Sequence, residues 1–155
     1  MAEADTRPLV IVGVDGSAQA KTALAWAAGY AEVTGATVCA VIAWEFPLGF
    51  GYLPPVQNID VDFAADATAA LQEAVTEVGK EHPDVAIETR VVHGFPTRVL
   101  PRMAADADLL VVGSHGRGAF AEALLGSVSH GCVHHAPCPV VVVRGGHAGA
   151  HDTAA

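Results

Sequence analysis

The sequence predicts an α/β fold: a single doubly wound, Rossmann-like sheet of five parallel strands with helices on both faces. Short apolar, β-branched runs alternate along the chain with segments whose apolar residues have helical spacing. One of these runs, residues 36–44 (ATVCAVIAW), is almost wholly apolar, which is typical of a strand covered on both faces. Alternation of this kind indicates parallel βαβ units with right-handed crossovers.

The composition is that of one acidic domain. The 155 residues are 52% hydrophobic and 16% charged, and eight basic against seventeen acidic side chains give a net charge of −9. A chain of this length can remove roughly 70% of its surface from water, so the composition excludes a disordered body. It also argues against a nucleic-acid partner, because unspecific binding to phosphates needs clustered Lys and Arg.

Neither the beginning of the chain nor its longest uncharged run predicts a membrane partner. Glu3 and Asp5 stand where a signal peptide would carry a basic stretch before an apolar run. Residues 123–143 are uncharged but contain Ser, His and Pro, which makes a poor membrane span. We therefore expect a cytoplasmic protein. Its cysteines, Cys39, Cys132 and Cys138, lie in apolar stretches without the spacing of a redox motif.

The first half of the chain predicts two strands, two helices and a long loop. Strands are expected over residues 8–14 and 36–44. Helices are expected over residues 17–34 and from Phe63 to near Pro83. Asp15-Gly16-Ser17 has the residue types of a helix start, and Gly35 ends that helix. The loop over residues 45–60 holds three prolines, and its aromatic side chains Phe50 and Tyr52 could close over a ligand or pack on their own domain.

The second half predicts three more strands and two helices. Strands are expected over residues 85–91, 108–113 and 139–143, and helices over 97–105 and 127–135. Pro96 suits the first turn of the shorter helix, but Pro101 inside it should kink or shorten it. Residues 1–7 and 145–155 are expected to be flexible tails, which leaves one domain over residues 8–144.

Three features meet where such a fold binds ligands, beyond the carboxyl ends of the strands. Asp15 ends the first strand, a glycine-rich segment over residues 114–118 follows the fourth, and Gly126 precedes the last helix. Unpaired N–H groups and the dipole at a helix start favour an anion, and glycines let the backbone approach it closely. With Ser127 and Ser129 as further donors, the sequence predicts a phosphate site that needs no lysine.

The spacing of these glycines resembles the G-2x-G-9x-G-(S/T) nucleotide signature of the universal stress protein family, here Gly113, Gly116 and Gly126-Ser127. Three further runs are similar to that family: residues 11–17 (IVGVDGS), 107–113 (ADLLVVG) and 135–141 (HAPCPVV). The resemblance extends over residues 8–144. It implies a sheet of strand order 3-2-1-4-5 with ATP, with or without Mg²⁺, bound at the switch point.

The resemblance also implies a set of nucleotide-binding residues. Gly13 and Asp15 would border the adenosine, and Val41 would line the adenine. The phosphates would be held by a loop and a helix start, which comprise Gly113, Ser114, His115, Gly116, Arg117, Gly118 and Ala119, and Gly126, Ser127, Val128 and Ser129. Arg117 ranks first among the side chains, because a guanidinium suits phosphate oxygens. In the alternative structural roles, Asp15 caps the first helix and Val41 is ordinary sheet core.

The residues of this site favour binding over catalysis. Phosphoryl transfer needs a cationic clamp, a held metal and a group that orients water, and the sequence has no G-x-x-x-x-G-K-[ST] motif. We therefore expect no catalytic residue, although Asp15 could hold Mg²⁺ through water. The expected function is an ATP-binding regulatory module in stress adaptation, with slow or no hydrolysis. The alternatives are a weak ATPase or nucleotidyl-transfer enzyme of the related α/β superfamily, and a nucleotide-free interaction scaffold.

Two features lie outside that site. His130 and His134 have the i, i+4 spacing of a metal-binding pair, but a zinc site wants three or four ligands, so we expect no metal site there or at the adjacent His135. Val140–Val143 would be an uncharged edge strand in the implied order, and such edges template pairing with another chain. We therefore expect a homodimer joined through this strand.

Overall fold

The computed structural model describes residues 6–45, 62–116 and 125–145. Within these ranges the chain forms five strands and four helices, with bounds β1 (Leu9–Gly13), α1 (Ala18–Thr34), β2 (Thr37–Trp44), α2 (Phe63–Glu81), β3 (Ile87–His93), α3 (Pro96–Met103), β4 (Leu109–Gly113), α4 (Ser127–His135) and β5 (Val140–Val143). All strand pairs are parallel, and the strand order is β3-β2-β1-β4-β5. The predicted fold class and strand order are confirmed. No helix in the described ranges is long and apolar enough to cross a membrane.

Helices cover both faces of the sheet, as the alternation along β1 requires. Val10 and Val12 belong to a core shared with α1 and α2, whereas Ile11 packs with residues of α3 and α4 on the opposite face. The side of α1 that faces the sheet consists of alanines and Leu24, all buried. Such small side chains let the helix lie close to the sheet.

Local sequence chemistry accounts for the ends of α1. The Ser17 hydroxyl accepts a hydrogen bond from the Ala20 N–H at 3.2 Å, and Gly35, with φ at 75°, ends the helix by donating its N–H to the Ala31 carbonyl at 2.8 Å. The cap of α1 is therefore Ser17. Asp15 lies two residues before the cap, and its carboxylate accepts a hydrogen bond from the Ser17 N–H at 2.9 Å.

Two elements are displaced from their predicted bounds by two residues, whereas the other strands and α1 differ by one residue at an end. The helix expected over residues 97–105 is α-helical only over Pro96–Met103 and continues as a 3₁₀ turn over Ala104–Asp106, two residues after the proline that removes a backbone donor. The third strand, expected over residues 85–91, lies at Ile87–His93, because its pairing with β2 runs from Val38 opposite Ile87 to Trp44 opposite His93. Most of the loop expected over 45–60 and of both tails lies outside the described residues.

Candidate functional site

A pocket of about 260 Å³ lies at the carboxyl ends of β1 and β4, where α1 and α4 begin. The strand order reverses between these two strands, which is the position where open α/β sheets bind ligands. The lining residues predicted from the sequence are Gly13, Asp15, Val41, Gly113, His115, Gly116, Gly126, Ser127, Val128 and Ser129. The structure thus brings together groups that are up to about a hundred residues apart in the chain.

One wall of the pocket is apolar. Val41 of β2 is fully buried and belongs to the core on the α3 side, so its roles as sheet core and as pocket lining coexist. Ala43 extends this wall along β2, and Val112 extends it along β4. Pro96 and Leu100 of α3 complete it. A wall of this kind suits a flat aromatic ring, since ligand pockets are mostly apolar with a few polar groups that orient the ligand.

The opposite wall is backbone, and it depends on three glycines. A Cβ on Gly116 would overlap the Asp15 carboxylate, and one on Gly126 would lie 3.3 Å from the Ser114 carbonyl. A Cβ on Gly113 would lie 3.3 Å from the Gln19 carbonyl of α1. The missing side chains thus let the loop after β4 touch the starts of both helices. A cradle of backbone beside a helix start fits a phosphate group.

The peptide group between Ser114 and His115 is tied to both helix starts. Its carbonyl oxygen, on Ser114, accepts from the Gly126 N–H at 2.6 Å and from the Ser129 hydroxyl at 2.8 Å. Its N–H, on His115, donates to the Gln19 side-chain oxygen at 2.9 Å. Ser114 is itself buried, and its own N–H donates to the Val143 carbonyl at 2.9 Å. The Ser114–His115 peptide therefore anchors the loop to α1 and α4, and the preceding peptide, through the Ser114 N–H, anchors it to β5.

The two serines at the start of α4 have different surroundings. Ser129 is 2% exposed, and its hydroxyl points inward to the carbonyls of Ser114 and Gly126. Ser127 is exposed at the pocket. The expectation that both hydroxyls donate to a phosphate therefore suits Ser127, whereas the one proton of Ser129 is already donated to protein carbonyls.

Gln19 and Leu100 are site residues that the sequence reasoning missed. Gln19 is four residues after Asp15 and carries no motif, and its partners Ser114 and His115 are 95 and 96 residues away. Leu100 is 2% exposed and reads as one more apolar position of a short helix. No sequence signal identifies Gln19, whereas the position of Leu100 over the carboxyl end of β1 follows once α3 is placed on that face.

Charge is sparse among the described residues that line the pocket. Asp15 is the carboxylate there and His115 the imidazole, and that part of the lining includes no Lys or Arg. Arg117, Gly118 and Ala119, which were predicted to complete the phosphate loop, lie outside the described residues. In the described part of the site, an anion would be held by backbone N–H groups and the Ser127 hydroxyl.

The histidines and the one cysteine of α4 are not among the residues that line the pocket. The His130 and His134 rings are 4.5 Å apart and both residues are exposed. In the described ranges no three His, Cys, Asp or Glu side chains come together as a metal site would require. Cys132 is fully buried beneath the helix, and burial raises the pKa of its thiol to about 11.

Comparison with known proteins agrees with this architecture. Residues 8–144 match the model of the universal stress protein family. A universal stress protein of Mycobacterium bovis is 38% identical over 138 residues, which are 87% of this chain and 45% of that protein. The chain thus spans a little under half the length of this curated relative.

Two solved structures have the same fold. The universal stress protein UspA from Lactobacillus plantarum superposes with a TM-score of 0.72 at 25% identity, over 90% of this chain and 100% of that one. A universal stress protein in complex with cAMP superposes with a TM-score of 0.67 at 31% identity, over 90% of this chain and 98% of that one. With its glycine cradle, its strand order and a family match over nearly its whole length, the chain belongs to the universal stress protein family.

Proposed function

We propose that this protein binds an adenine nucleotide, with ATP as the ligand that the glycine signature implies, and acts as a cytoplasmic regulatory module in stress adaptation. The observation that carries the proposal is the pocket at the switch point, with an apolar wall on one side and a glycine cradle on the other. An adenine would lie against Val41 and Leu100. The phosphates would lie at the start of α4, where the helix dipole and unpaired N–H groups stabilise negative charge.

A related protein supports the ligand class. The structure that is 31% identical to this chain holds cAMP, which combines the same base with a single phosphate. Asp15 is the carboxylate of the described lining and would hold Mg²⁺, through water, when a triphosphate is bound.

The described residues of the pocket lining favour nucleotide binding over nucleotide hydrolysis. Efficient phosphoryl transfer needs cations on the transferred group and a residue that orients the attacking water. Asp15 and His115 are the titratable side chains of that part of the pocket, and the Asp15 carboxylate already accepts a hydrogen bond from the Ser17 N–H. Hydrolysis is therefore slow or absent, and the bound nucleotide itself is the signal.

The proposal is tested by asking what the protein carries and what it binds. Nucleotide released from freshly purified, denatured protein is identified by chromatography, and the stripped protein is titrated calorimetrically with ATP, AMP and cAMP, with and without Mg²⁺. The Gly116→Ala variant places a methyl group on the Asp15 carboxylate and should lose binding. The Gly79→Ala variant is the matched control, because a Cβ there meets nothing within 4 Å. Absence of released nucleotide and of binding up to millimolar ATP would favour the scaffold function.

A homodimer through β5 is the second part of the proposal. All four residues of Val140–Val143 are only partly buried, although β4 pairs with this strand and helices pack on both of its faces. On α1, which contacts β5, Trp26 remains 40% exposed and stacks on Tyr30, with ring centroids 5.5 Å apart. Pairing with a second copy would cover this edge. A monomeric mass by light scattering at micromolar concentration would contradict the dimer.

A further inference from the structure

Gln19 connects α1 to β4, to the loop that follows β4 and to the segment just after β5. Its side-chain oxygen accepts from the His115 N–H at 2.9 Å and from the Ser114 hydroxyl at 3.2 Å. Its backbone carbonyl lies against Gly113, and its Cγ lies against Gly145, just after β5. The single residue Gln19 therefore lies against the end of β4, the loop that follows it and the segment just after β5.

The bond to His115 acts on a peptide group whose other side is already held. The Ser114 carbonyl of that peptide is bonded to the start of α4, through the Gly126 N–H and the Ser129 hydroxyl. The N–H of the same peptide is bonded to α1, through Gln19. A peptide held at both its oxygen and its nitrogen cannot rotate without losing bonds to both helices. This matters beside Gly116, where the absence of a Cβ would otherwise permit many loop conformations.

We propose that Gln19 is a positioning residue of the phosphate site: it holds the Ser114–His115 peptide in one orientation, so that the backbone over residues 113–116 is already shaped for a phosphate before the ligand arrives. The inference rests on the proposed nucleotide site. It assigns the role to a side chain that does not itself line the pocket and acts through the backbone. Preorganisation of this kind raises affinity because the loop need not be ordered at the moment of binding.

The experiment separates the phosphate-dependent part of binding from the rest. Gln19→Met keeps the length and apolar packing of the side chain but removes the accepting oxygen, and Gln19→Glu restores an oxygen at the same place. Gln72→Met, on the exposed side of α2, is the matched control. Each protein is titrated with AMP and with adenosine, and hydrogen exchange of the His115 amide is followed by NMR.

Gln19→Met removes the acceptor of both hydrogen bonds. It should weaken AMP binding about tenfold, because the bond that holds the His115 N–H is lost, and change adenosine binding less than about twofold. The His115 amide should exchange faster in Gln19→Met and regain its protection in Gln19→Glu. Equal losses for AMP and adenosine would show a general packing effect, and unchanged AMP binding or His115 exchange would show no role; each of these overturns the inference while the nucleotide site stands. A wild-type protein that binds neither ligand would overturn the proposed function and this inference with it.

Discussion

Removal of the Ser129 hydroxyl should lower the stability of the fold, and removal of the Ser127 hydroxyl should lower the affinity for the ligand. The two serines are two residues apart at the start of α4, and within the described ranges the inner one, Ser129, is the one whose hydroxyl bonds to protein carbonyls. The Ser129 hydroxyl lies 2.8 Å from the Ser114 carbonyl and 3.1 Å from the Gly126 carbonyl, and it shares a single proton between them. Ser129→Ala therefore removes one hydrogen bond's worth of interaction from a buried position.

The loss of unfolding free energy in Ser129→Ala depends on the hydrogen bonds that the two carbonyls still accept. The Ser114 carbonyl still accepts from the Gly126 N–H at 2.6 Å, and the Gly126 carbonyl still accepts from the His130 N–H at 2.9 Å. Neither acceptor is left unpaired, so the cost is that of one net hydrogen bond, about 1 kcal/mol of unfolding free energy. For a domain of this size, that loss lowers the melting temperature by roughly 2–4 °C.

The assay is urea unfolding followed by circular dichroism, with AMP titration of the same samples. Ser129→Ala should lower the urea midpoint by about 0.5 M at unchanged slope. Ser127→Ala should leave the midpoint unchanged and weaken AMP binding about tenfold, because the hydroxyl that we propose as a donor to the charged phosphate is lost. Equal destabilisation by both substitutions, or a Ser129→Ala midpoint equal to that of the wild type, would refute the assignment of the two hydroxyls.

Three further outcomes test the core, the helices and the thiols. Leu71→Ala, at a core position that is 1% exposed, should lower the unfolding free energy by about 2–5 kcal/mol in urea titrations. Gly29 and Gly79 lie in helices at positions where a Cβ would meet nothing within 4 Å. Gly29→Ala and Gly79→Ala should therefore each raise the free energy of unfolding by about 0.5–1 kcal/mol, which is measured as a higher melting temperature. Because burial raises the pKa of the Cys132 thiol from 9.0 to about 11, the folded state holds that proton more tightly than the unfolded state. Its contribution to stability is therefore complete below pH 9 and should be lost as the pH rises toward 11, which urea midpoints compared with those of Cys132→Ala would reveal. In the native protein at pH 8, a thiol reagent should modify the partly exposed Cys138 before Cys132.

Elements with local signals are the ones whose bounds the sequence predicts well. Ser17 and Gly35 mark both ends of α1 because a hydroxyl cap and a left-handed glycine act on neighbouring residues. The bounds of β3 depend instead on its pairing with β2. The strand therefore begins and ends two residues later in the chain than the apolar alternation predicts. The end of α3 is also displaced, because the spacing of apolar residues does not reveal where an α-helix continues as a 3₁₀ turn.

The residues of the candidate site also fall into two groups, those that a sequence pattern predicts and those whose roles depend on distant parts of the chain. Its glycines, Asp15 and the start of α4 form a pattern of fixed spacing that a single sequence carries. Gln19 acts on residues 95 and 96 positions away, so its role appears only when the strand order brings α1 to the end of β4. The direction of the Ser129 hydroxyl depends likewise on the Ser114 carbonyl, which β4 places beneath α4.

Occupancy of the pocket between β1 and β4 by an adenine nucleotide can be followed by NMR titration of the ¹⁵N-labelled protein with AMP. We expect saturable shifts of the Gly113, Ser114, Gly126 and Ser127 amides. The amides of a second pocket, at the opposite end of the strands and lined by residues such as Arg7, Gly35 and Val85, should not shift. Shifts confined to that second pocket, or no shifts at millimolar AMP, would show that the nucleotide does not bind between β1 and β4.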